Sequence, residues 1–262
     1  MKILFIFLIA IPLTGSAQEW QAELMAGVAG YNGDLTQHRV NLEELRPAVN
    51  FDIKYNSGDF VNVRFGLAYG RIGAADKNNT SQLLKDRNLS FVSNIAEINA
   101  IVEVSLADPE TYTSYPYVLG GVGVFHFNPF TTDDQGKKVF LQPLSTEGEG
   151  LKEYPDRKKY ALTQMCIPVG LGWRMLLKQK WILSIEFGYR ITFTDYLDDV
   201  STSYVNLSVL AQEKGAEAAA LSYRGKGPLT AADIRGNPAN KDVYYFGGLK
   251  IGTALRNLFG HR

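Results

Sequence analysis

The chain has 262 residues, of which 27 are Lys or Arg and 27 are Asp or Glu, so its formal net charge is zero at pH 7. This balance argues against a nucleic-acid partner, because proteins that neutralise phosphates carry a surplus of basic residues. The only cysteine, Cys166, excludes disulfides within the chain, and its distance from the N-terminus excludes a lipid-modified N-terminal cysteine. The length suits one domain, either a soluble β-sandwich or barrel or a membrane barrel.

The first 17 residues have the features of a cleaved export signal. Lys2 supplies a positive charge, an apolar stretch runs from Ile3 to Leu13, and small residues occupy positions 15–17. That stretch is too short to cross about 30 Å of hydrocarbon as a helix. We therefore expect a signal peptide over 1–17 and a mature chain, 18–262, that forms a single domain. No later apolar run approaches the roughly 20 residues of a transmembrane helix, so a mature chain in a membrane must span it with strands.

Apolar and polar residues alternate with a period of two in eight segments, and this alternation places every second side chain on one face of a β-strand. The seventh segment shows the pattern most clearly, since Leu183 and Ile185 face away from Ser184. Pro168 in the sixth segment cannot donate to a sheet ladder, so we expect a strand irregularity there. In chain order the segments are 20–28, 49–56, 61–70, 97–104, 115–127, 167–175, 181–194 and 242–252.

The connections between these segments alternate between long and short. The long ones cover 32–46, 73–87, 128–158 and 195–240, and the short ones cover 57–59, 106–114 and 178–180. Outer-membrane barrels have an even strand count, long extracellular loops and short periplasmic turns. The pattern therefore predicts an all-β fold, an eight-stranded antiparallel transmembrane β-barrel of the outer-membrane type, with both termini in the periplasm. Residues 207–222 of the last loop suit a short helix, which Gly215 weakens.

The cost of burying charge decides which face of each strand meets lipid. An unpaired charge at the bilayer midplane destabilises a barrel by about 2–4 kcal/mol, whereas the lumen can pair or solvate it. The aliphatic faces must therefore point outward, and eight strands leave an interior just wide enough for side chains. We expect a paired ionic network in the lumen rather than an open channel. Its members are five acids and five bases, namely Glu23, Asp52, Lys54, Arg64, Glu97, Glu103, Arg174, Glu186, Arg190 and Lys250.

A soluble eight-stranded barrel of the lipocalin kind would show the same alternation in inverse, with its apolar residues inside. Three observations favour the membrane barrel: the row of large apolar residues in the seventh segment, the four long loops at one end, and the glycines on the charged faces. In a membrane barrel, interfacial aromatic girdles are expected, and the candidates are Trp20, Tyr55, Tyr69, Trp181 and Tyr189.

Few residues suggest chemistry. The three histidines show no metal-ligand spacing, so neither a metal nor a cofactor is expected. His126, at the end of the fifth segment, could act as a base in a lipid-modifying enzyme, but a hydrogen-bonded histidine at the barrel rim is the simpler interpretation. Asp195, Asp198 and Asp199 could collect calcium. Aspartates that cap turns explain this cluster more simply.

Five segments together resemble one known family. They are GVAGYNGDL at 27–35, RNLSF at 87–91, YPYVLGGVGVFHFNP at 115–129, LQPLSTEGEG at 141–150 and TFTDYLDDVS at 192–201. The family consists of small outer-membrane barrels from Bacteroidota and includes PorG, a component of the type IX secretion system. The resemblance extends over nearly the whole mature chain and implies no catalytic residues.

For a family member with the role of PorG, the resemblance implies a periplasmic contact with the lipoprotein-containing ring of a secretion machine. In the predicted topology the short turns and the C-terminal tail face the periplasm, and their candidate contact residues are Lys178, Lys180, Arg256 and Arg262. The expected function is that of a non-enzymatic barrel in the cell outer membrane, surrounded by lipid, which serves a secretion or envelope assembly. A lipid-modifying enzyme and a narrow pore for small solutes are the alternatives.

Overall fold

The computed structural model describes residues 19–38, 40–57, 60–177, 180–225, 227–229 and 233–259. The expected signal peptide over 1–17, Lys178 and Arg262 therefore lie outside the described residues. Within the described ranges, no helix has both the length and the apolar character needed to cross a membrane.

Ten antiparallel strands make up the sheet. They are β1 (Glu19–Asn32), β2 (Arg46–Asn56), β3 (Val61–Ala75), β4 (Ser90–Ser105), β5 (Ser114–His126), β6 (Phe130–Thr132), β7 (Lys138–Phe140), β8 (Thr163–Leu177), β9 (Trp181–Thr192) and β10 (Val243–Ala254). Eight of them, all except β6 and β7, pair in the order β3-β2-β1-β10-β9-β8-β5-β4, and β3 pairs again with β4. The sheet is thereby closed, which confirms the predicted eight-stranded antiparallel barrel.

The hairpin of β6 and β7 is an addition that alternation did not predict. Its strand β6 pairs with the loop-side end of β4 through Val92 and Phe130. Three-residue strands are too short to show a period, which explains why the sequence pattern is silent about them.

The barrel is apolar outside and polar inside. On β9, Ile185 is 59% exposed, and on β3, Phe65 is 56% exposed, whereas Glu23 on β1 is 1% exposed and Arg64 on β3 is fully buried. A soluble lipocalin-like barrel would have the opposite arrangement. The distribution is therefore that of a transmembrane barrel, in which lipid-facing and lumen-facing residues alternate along each strand.

Aromatic rings fill the gaps that two strand glycines leave. A Cβ atom placed on Gly172 would lie 2.3 Å from the ring of Tyr117, and one on Gly30 would lie 2.2 Å from the ring of Tyr245. The first ring is inside the barrel, and the second covers its outer surface beside Tyr189, at a centroid distance of 6.4 Å. These glycines are required because any side chain would displace the ring that packs on the strand.

The irregularity expected at Pro168 is present. Pairs between β5 and β8 run from Ser114↔Met175 to Gly120↔Val169 and resume at Gly123↔Cys166 in the same register. Pro168 lies within this unpaired interval of β8 and pairs on its other side with Arg190 of β9. The proline interrupts the ladder without shifting the register, because it lacks only its own N–H.

Long loops stand at one end of the barrel and short turns at the other, as predicted. We call the long loops L1 (33–45), L2 (76–89), L3 (127–162) and L4 (193–242), and the short turns T1 (57–60), T2 (106–113) and T3 (178–180). The helices are α1 (Gln82–Arg87), α2 (Leu207–Lys214), α3 (Ala216–Ser222) and α4 (Leu255–Phe259). The helix expected over 207–222 is divided in two at Gly215, whose φ of 96° lies in the left-handed region.

The lipid-facing assignment predicts a depth-dependent cost for an added charge. Ile185 lies in the middle of β9, and Phe193 lies just beyond the end of the same strand, at 60% exposure. In phospholipid vesicles we expect Ile185→Arg to lower the free energy of unfolding by about 2–4 kcal/mol and Phe193→Arg to lower it by at most about 1 kcal/mol. Denaturant titration followed by tryptophan fluorescence measures both, and equal losses would contradict the assignment.

Candidate functional site

The lower half of the lumen, next to the short turns, contains a network of eight ionised side chains. Four acids, Glu23, Asp52, Glu103 and Glu186, meet four bases, Lys54, Arg64, Arg174 and Lys250. All eight are at least 95% buried. Burial of so many charges is tolerated only when each has partners, because the desolvation of an isolated ion costs several kcal/mol.

Arg64 is the centre of this network. Its guanidinium donates to both carboxylate oxygens of Glu186, at 2.7 and 2.8 Å, and to Glu103 at 2.7 Å. Tyr117 donates a further hydrogen bond of 2.7 Å to Glu186. A guanidinium suits this position because its rigid fork of donors can serve two carboxylates at once.

Two lysines and a second arginine complete the pairing of the remaining acids. Lys250 lies 2.7 Å from Asp52 and 3.1 Å from Glu186. Arg174 donates to Glu103 at 2.7 Å, and Lys54 is paired with Glu23. The four positive and four negative charges therefore cancel within the network.

Glu97 and Arg190 form a separate ion pair higher in the lumen. Nε of Arg190 lies 3.2 Å from Glu97, which also accepts hydrogen bonds from Tyr244 at 2.8 Å and Asn99 at 2.7 Å. The Arg190 guanidinium lies 4.7 Å from the ring centroid of Phe246. The structure thus brings all ten residues that the sequence placed in the lumen into ion pairs, eight in one network and two in another.

An aromatic and aliphatic layer fills the upper lumen above the ion pairs. Phe125 packs against Tyr244 at a centroid distance of 5.1 Å and against Phe127 at 5.6 Å. From Phe127 the stack continues through Tyr160, at 6.1 Å, to Tyr196, at 4.7 Å, and so into loops L3 and L4. The lumen is therefore filled from the ionic network to the loops, which leaves no open channel through the described residues.

The long loops form a cap over the upper end of the lumen, and Arg235 of L4 is buried within it. It donates to Glu147 of L3 at 3.0 Å and to the carbonyl of Asp199. Glu147 also accepts from the backbone N–H groups of Ser201 and Thr202, each at 2.9 Å. Side chains therefore satisfy the backbone of the cap in place of regular secondary structure.

Arg87 joins three loops of the cap. It forms two hydrogen bonds of 2.7 Å with Asp76 within L2. It also donates to the carbonyl of Asp34 in L1, at 2.9 Å, and to the carbonyl of Arg235 in L4, at 2.5 Å. Neither Arg87 nor Arg235 was identified from the sequence, because loop residues follow no period that would indicate which of them meet.

Burial raises the pKa values of several cap carboxyls. The pKa of Glu149 rises to about 8 through burial and repulsion from Asp199 and Glu147. Burial raises the pKa of Asp195 to about 7. It raises that of Asp199 to about 6, against the attraction of Arg235. These groups hold protons in the folded cap at pH values where an exposed carboxyl is ionised.

The three aspartates that were candidates for calcium accept hydrogen bonds from their neighbours. Asp195 accepts from Ser201 at 2.8 Å, Asp199 accepts from Tyr160 at 2.6 Å, and Asp198 accepts from the backbone N–H of Val200 at 2.9 Å. Over the described ranges, no three His, Cys, Asp or Glu side chains are arranged to hold a metal ion. The contact of Asp198 is the turn cap that the sequence suggested, whereas Asp195 and Asp199 accept from side-chain hydroxyls, that of Asp199 coming from another loop.

His126 lies at the rim of the barrel with its side chain exposed. Its Nδ1 is 3.1 Å from Oγ1 of Thr163, the residue paired with it across β5 and β8. This is the hydrogen-bonded rim histidine that the sequence favoured over a catalytic base.

Two of the four candidate contact residues at the short-turn end can be placed. Lys180 is exposed in T3, and its carbonyl accepts a hydrogen bond of 2.8 Å from Thr253. Arg256 is exposed on α4 and pairs with Glu19 of β1 at 3.0 Å. Lys178 and Arg262 fall outside the described residues.

The separate ion pair of Glu97 and Arg190 allows a test of charge compensation in the lumen. Arg190→Met leaves Glu97 as a buried charge without its cation, so we expect the free energy of unfolding to fall by about 3–5 kcal/mol. The double variant Arg190→Met with Glu97→Gln removes both charges and should recover more than half of that loss. Denaturant unfolding in lipid vesicles gives both values, and a double variant as unstable as the single one would refute the compensation.

The raised pKa values predict that the cap loosens as pH increases. Exposed Asp and Glu ionise near pH 4, whereas Asp199, Asp195 and Glu149 retain protons until pH values of about 6, 7 and 8. Between pH 4 and 8 the folded cap therefore binds more protons than the unfolded cap, and its stability falls as pH rises. Amide hydrogen exchange over 193–222, corrected for its intrinsic rate, should show weaker protection at pH 8 than at pH 5.

Glu149→Gln provides the control for this pH dependence. The amide cannot ionise, so the decrease in hydrogen-exchange protection near pH 8 should be smaller in this variant. Protection that increases with pH in the unmodified protein would contradict the prediction.

Comparisons with known proteins extend to structures and to a family. Neisserial surface protein A (NspA) is similar with a TM-score of 0.45 and 9% identity, over 91% of this chain and 99% of that chain. A major outer membrane protein from Thermus thermophilus is similar with a TM-score of 0.43 and 12% identity, over 90% of this chain and 99% of that chain. Outer Membrane Protein W of E. coli is similar with a TM-score of 0.37 and 10% identity, over 92% of this chain and 100% of that chain.

None of the curated proteins matches the chain. A family model does match it over residues 1–213, and its description is Domain of unknown function (DUF6089). Because this match covers well over half of the 262 residues, the protein belongs to the DUF6089 family.

Proposed function

We propose that this protein is a non-enzymatic β-barrel of the bacterial outer membrane that acts as a structural or interaction component of an envelope assembly. The specific role proposed is that of PorG in the type IX secretion system of Bacteroidota, with a lipoprotein-containing periplasmic ring as partner. The outer-membrane location is supported by the closed barrel with its apolar exterior, since strands cross a membrane only when every edge is paired.

The observation that carries the proposal is the filled lumen. The ionic network and the aromatic layer fill the lumen from the network to the loops, and the charges of the network balance, so the described residues leave no passage for a solute through this part of the barrel. A protein of this kind acts through its outer surfaces and its two ends. The short-turn end is the one that would face the periplasm.

The short-turn end has an ordered surface that a partner could bind. In T2, Asp108 accepts hydrogen bonds from the backbone N–H of Glu110, at 2.9 Å, and from Thr111, at 2.6 Å. This turn presents Leu106 and Tyr112, which are 59% and 55% exposed. Exposed aromatic and aliphatic side chains on a rigid turn suit a protein contact, because little side-chain freedom is lost on binding.

Site-specific photocrosslinking in cells tests this assignment. With a photoreactive amino acid in place of Tyr112, we expect a covalent adduct with a periplasmic protein in the outer-membrane fraction. The matched control replaces Leu83, an exposed residue of α1 at the opposite end, and should give no such adduct. Mass spectrometry identifies the adduct, and a lipoprotein of a secretion ring would support the PorG-like role.

Other results of the same experiment would overturn parts of the proposal. Recovery of the protein outside the outer-membrane fraction would refute its location. Periplasmic adducts from position 83 and none from position 112 would reverse the orientation of the barrel. An outer-membrane barrel without adducts at the short-turn end would refute the assembly role.

A further inference from the structure

The β3–β4 side of the barrel marks the depth at which the membrane ends. On β3 the outward residues are apolar from Val61 to Tyr69, a span of nine residues that matches the length of a membrane-crossing strand. The next outward residue is Arg71, which is exposed and donates to Asn94 of β4 at 3.0 Å. A charge on the outer face at this point indicates the headgroup layer, because a lysine or arginine near the midplane would be strongly destabilising.

A cleft opens directly beyond this level. It has a volume of about 440 Å³ and lies between the ends of β3 and β4, hairpin strand β6, and loops L1, L2 and L4. Its floor includes Ala75 and Ser90, which pair across the two strands four residue pairs above Arg71 and Asn94. The cleft therefore stands beside the headgroups of the outer leaflet, where a bound molecule could keep its acyl chains on the apolar wall below.

Basic side chains dominate the cleft. Its lining contains Arg46 at the start of β2, Lys77 of L2 and Arg224 of L4, together with one acid, Glu44 of L1. Glu44 forms an ion pair with Arg46 at 3.6 Å and accepts a hydrogen bond from Asn78.

The remaining charges leave the cleft positive. Arg224 pairs at 2.9 Å with Asp134, whose side chain is 94% exposed. Lys77 is exposed and makes no ion pair with any other described residue. Lys138 lies just outside the cleft, with its Nζ 3.8 Å from the ring centroid of Phe130. With Arg224 paired to an exposed acid, Lys77 supplies the unpaired positive charge of the lining. Arginine together with lysine is the usual set for phosphate, so an anion suits the cleft.

Neutral polar groups accompany these charges. Hydroxyls of Ser90 and Thr131, 3.1 Å apart, and the amide side chain of Asn88 also line the cleft. Hydroxyl and amide groups can exchange hydrogen bonds with the hydroxyls of a sugar. The adjoining aromatic pair of Phe130 and Phe140, with a centroid distance of 6.0 Å, suits the boundary between headgroup and hydrocarbon.

We propose that this cleft binds the phosphorylated sugar headgroup of an outer-leaflet glycolipid, with Lys77 and Arg224 holding the phosphate. The inference rests on the proposed outer-membrane location. It adds a specific lipid ligand, at a site distinct from the lumen and from the end that would contact a periplasmic partner.

Native mass spectrometry of the refolded full mature chain in detergent micelles tests the site, with diphosphoryl lipid A as the probe. We expect lipid A to bind roughly tenfold more tightly than its dephosphorylated form, since the site proposed for the phosphate offers it the cations Lys77 and Arg224. Lys77→Gln combined with Arg224→Gln should weaken binding of lipid A by roughly tenfold or more. The control Lys85→Gln, an exposed lysine of α1 outside the cleft, should leave binding unchanged.

Each alternative result has a defined meaning. Equal binding of the dephosphorylated lipid, or an unaffected double variant, would overturn the headgroup site. Equally tight binding of free glucosamine 1-phosphate would show a soluble ligand and would overturn the lipid assignment. Insertion of the same preparations into vesicles, checked by resistance to denaturant, separates these results from failure of the proposed membrane location.

Discussion

Charge compensation inside a narrow barrel is the constraint on which the rest of this structure depends. A single buried ion costs several kcal/mol, and the attraction of one partner repays that cost only when the geometry is close and the remaining donors and acceptors are satisfied. Arg64 meets the requirement of close geometry, because its two terminal nitrogens bond to Glu186 and Glu103 together, while its Nε has no hydrogen-bond partner. With the charges neutralised inside, the outer faces of the same strands are free to be apolar over the part of the wall that meets hydrocarbon.

The filled interior moves every functional surface to the outside of the molecule. The ends of the barrel differ in kind, since one carries short turns and the other a cap of long loops held by Arg87 and Arg235. The cap is stabilised by side chains that bond to backbone groups, and several of its buried carboxyls carry protons near neutral pH. The barrel wall is accordingly a rigid support for two different surfaces.

The sequence predicts the wall and its faces because side-chain direction in a strand repeats every two residues. That period is local, so it assigns Arg64 and Glu186 to the lumen without showing that they meet. Their contact joins positions 122 residues apart and depends on strand register and on closure of the barrel. The cap lies beyond such reasoning, because its contacts follow loop conformation, and the hairpin of β6 and β7 is too short to show a pattern.

Lys250 has a consequence for how the molecule is made. It lies on β10, the last strand of the chain, yet it neutralises Asp52 on β2 and Glu186 on β9. Until β10 joins β1 and closes the cylinder, these acids lack one of their cations and their surroundings stay hydrated. The charges of the interior therefore balance only once β10 is in place, so closure of the barrel and dehydration of its lumen form a single cooperative event. A copy that lacks β10 keeps a hydrated gap between β1 and β9.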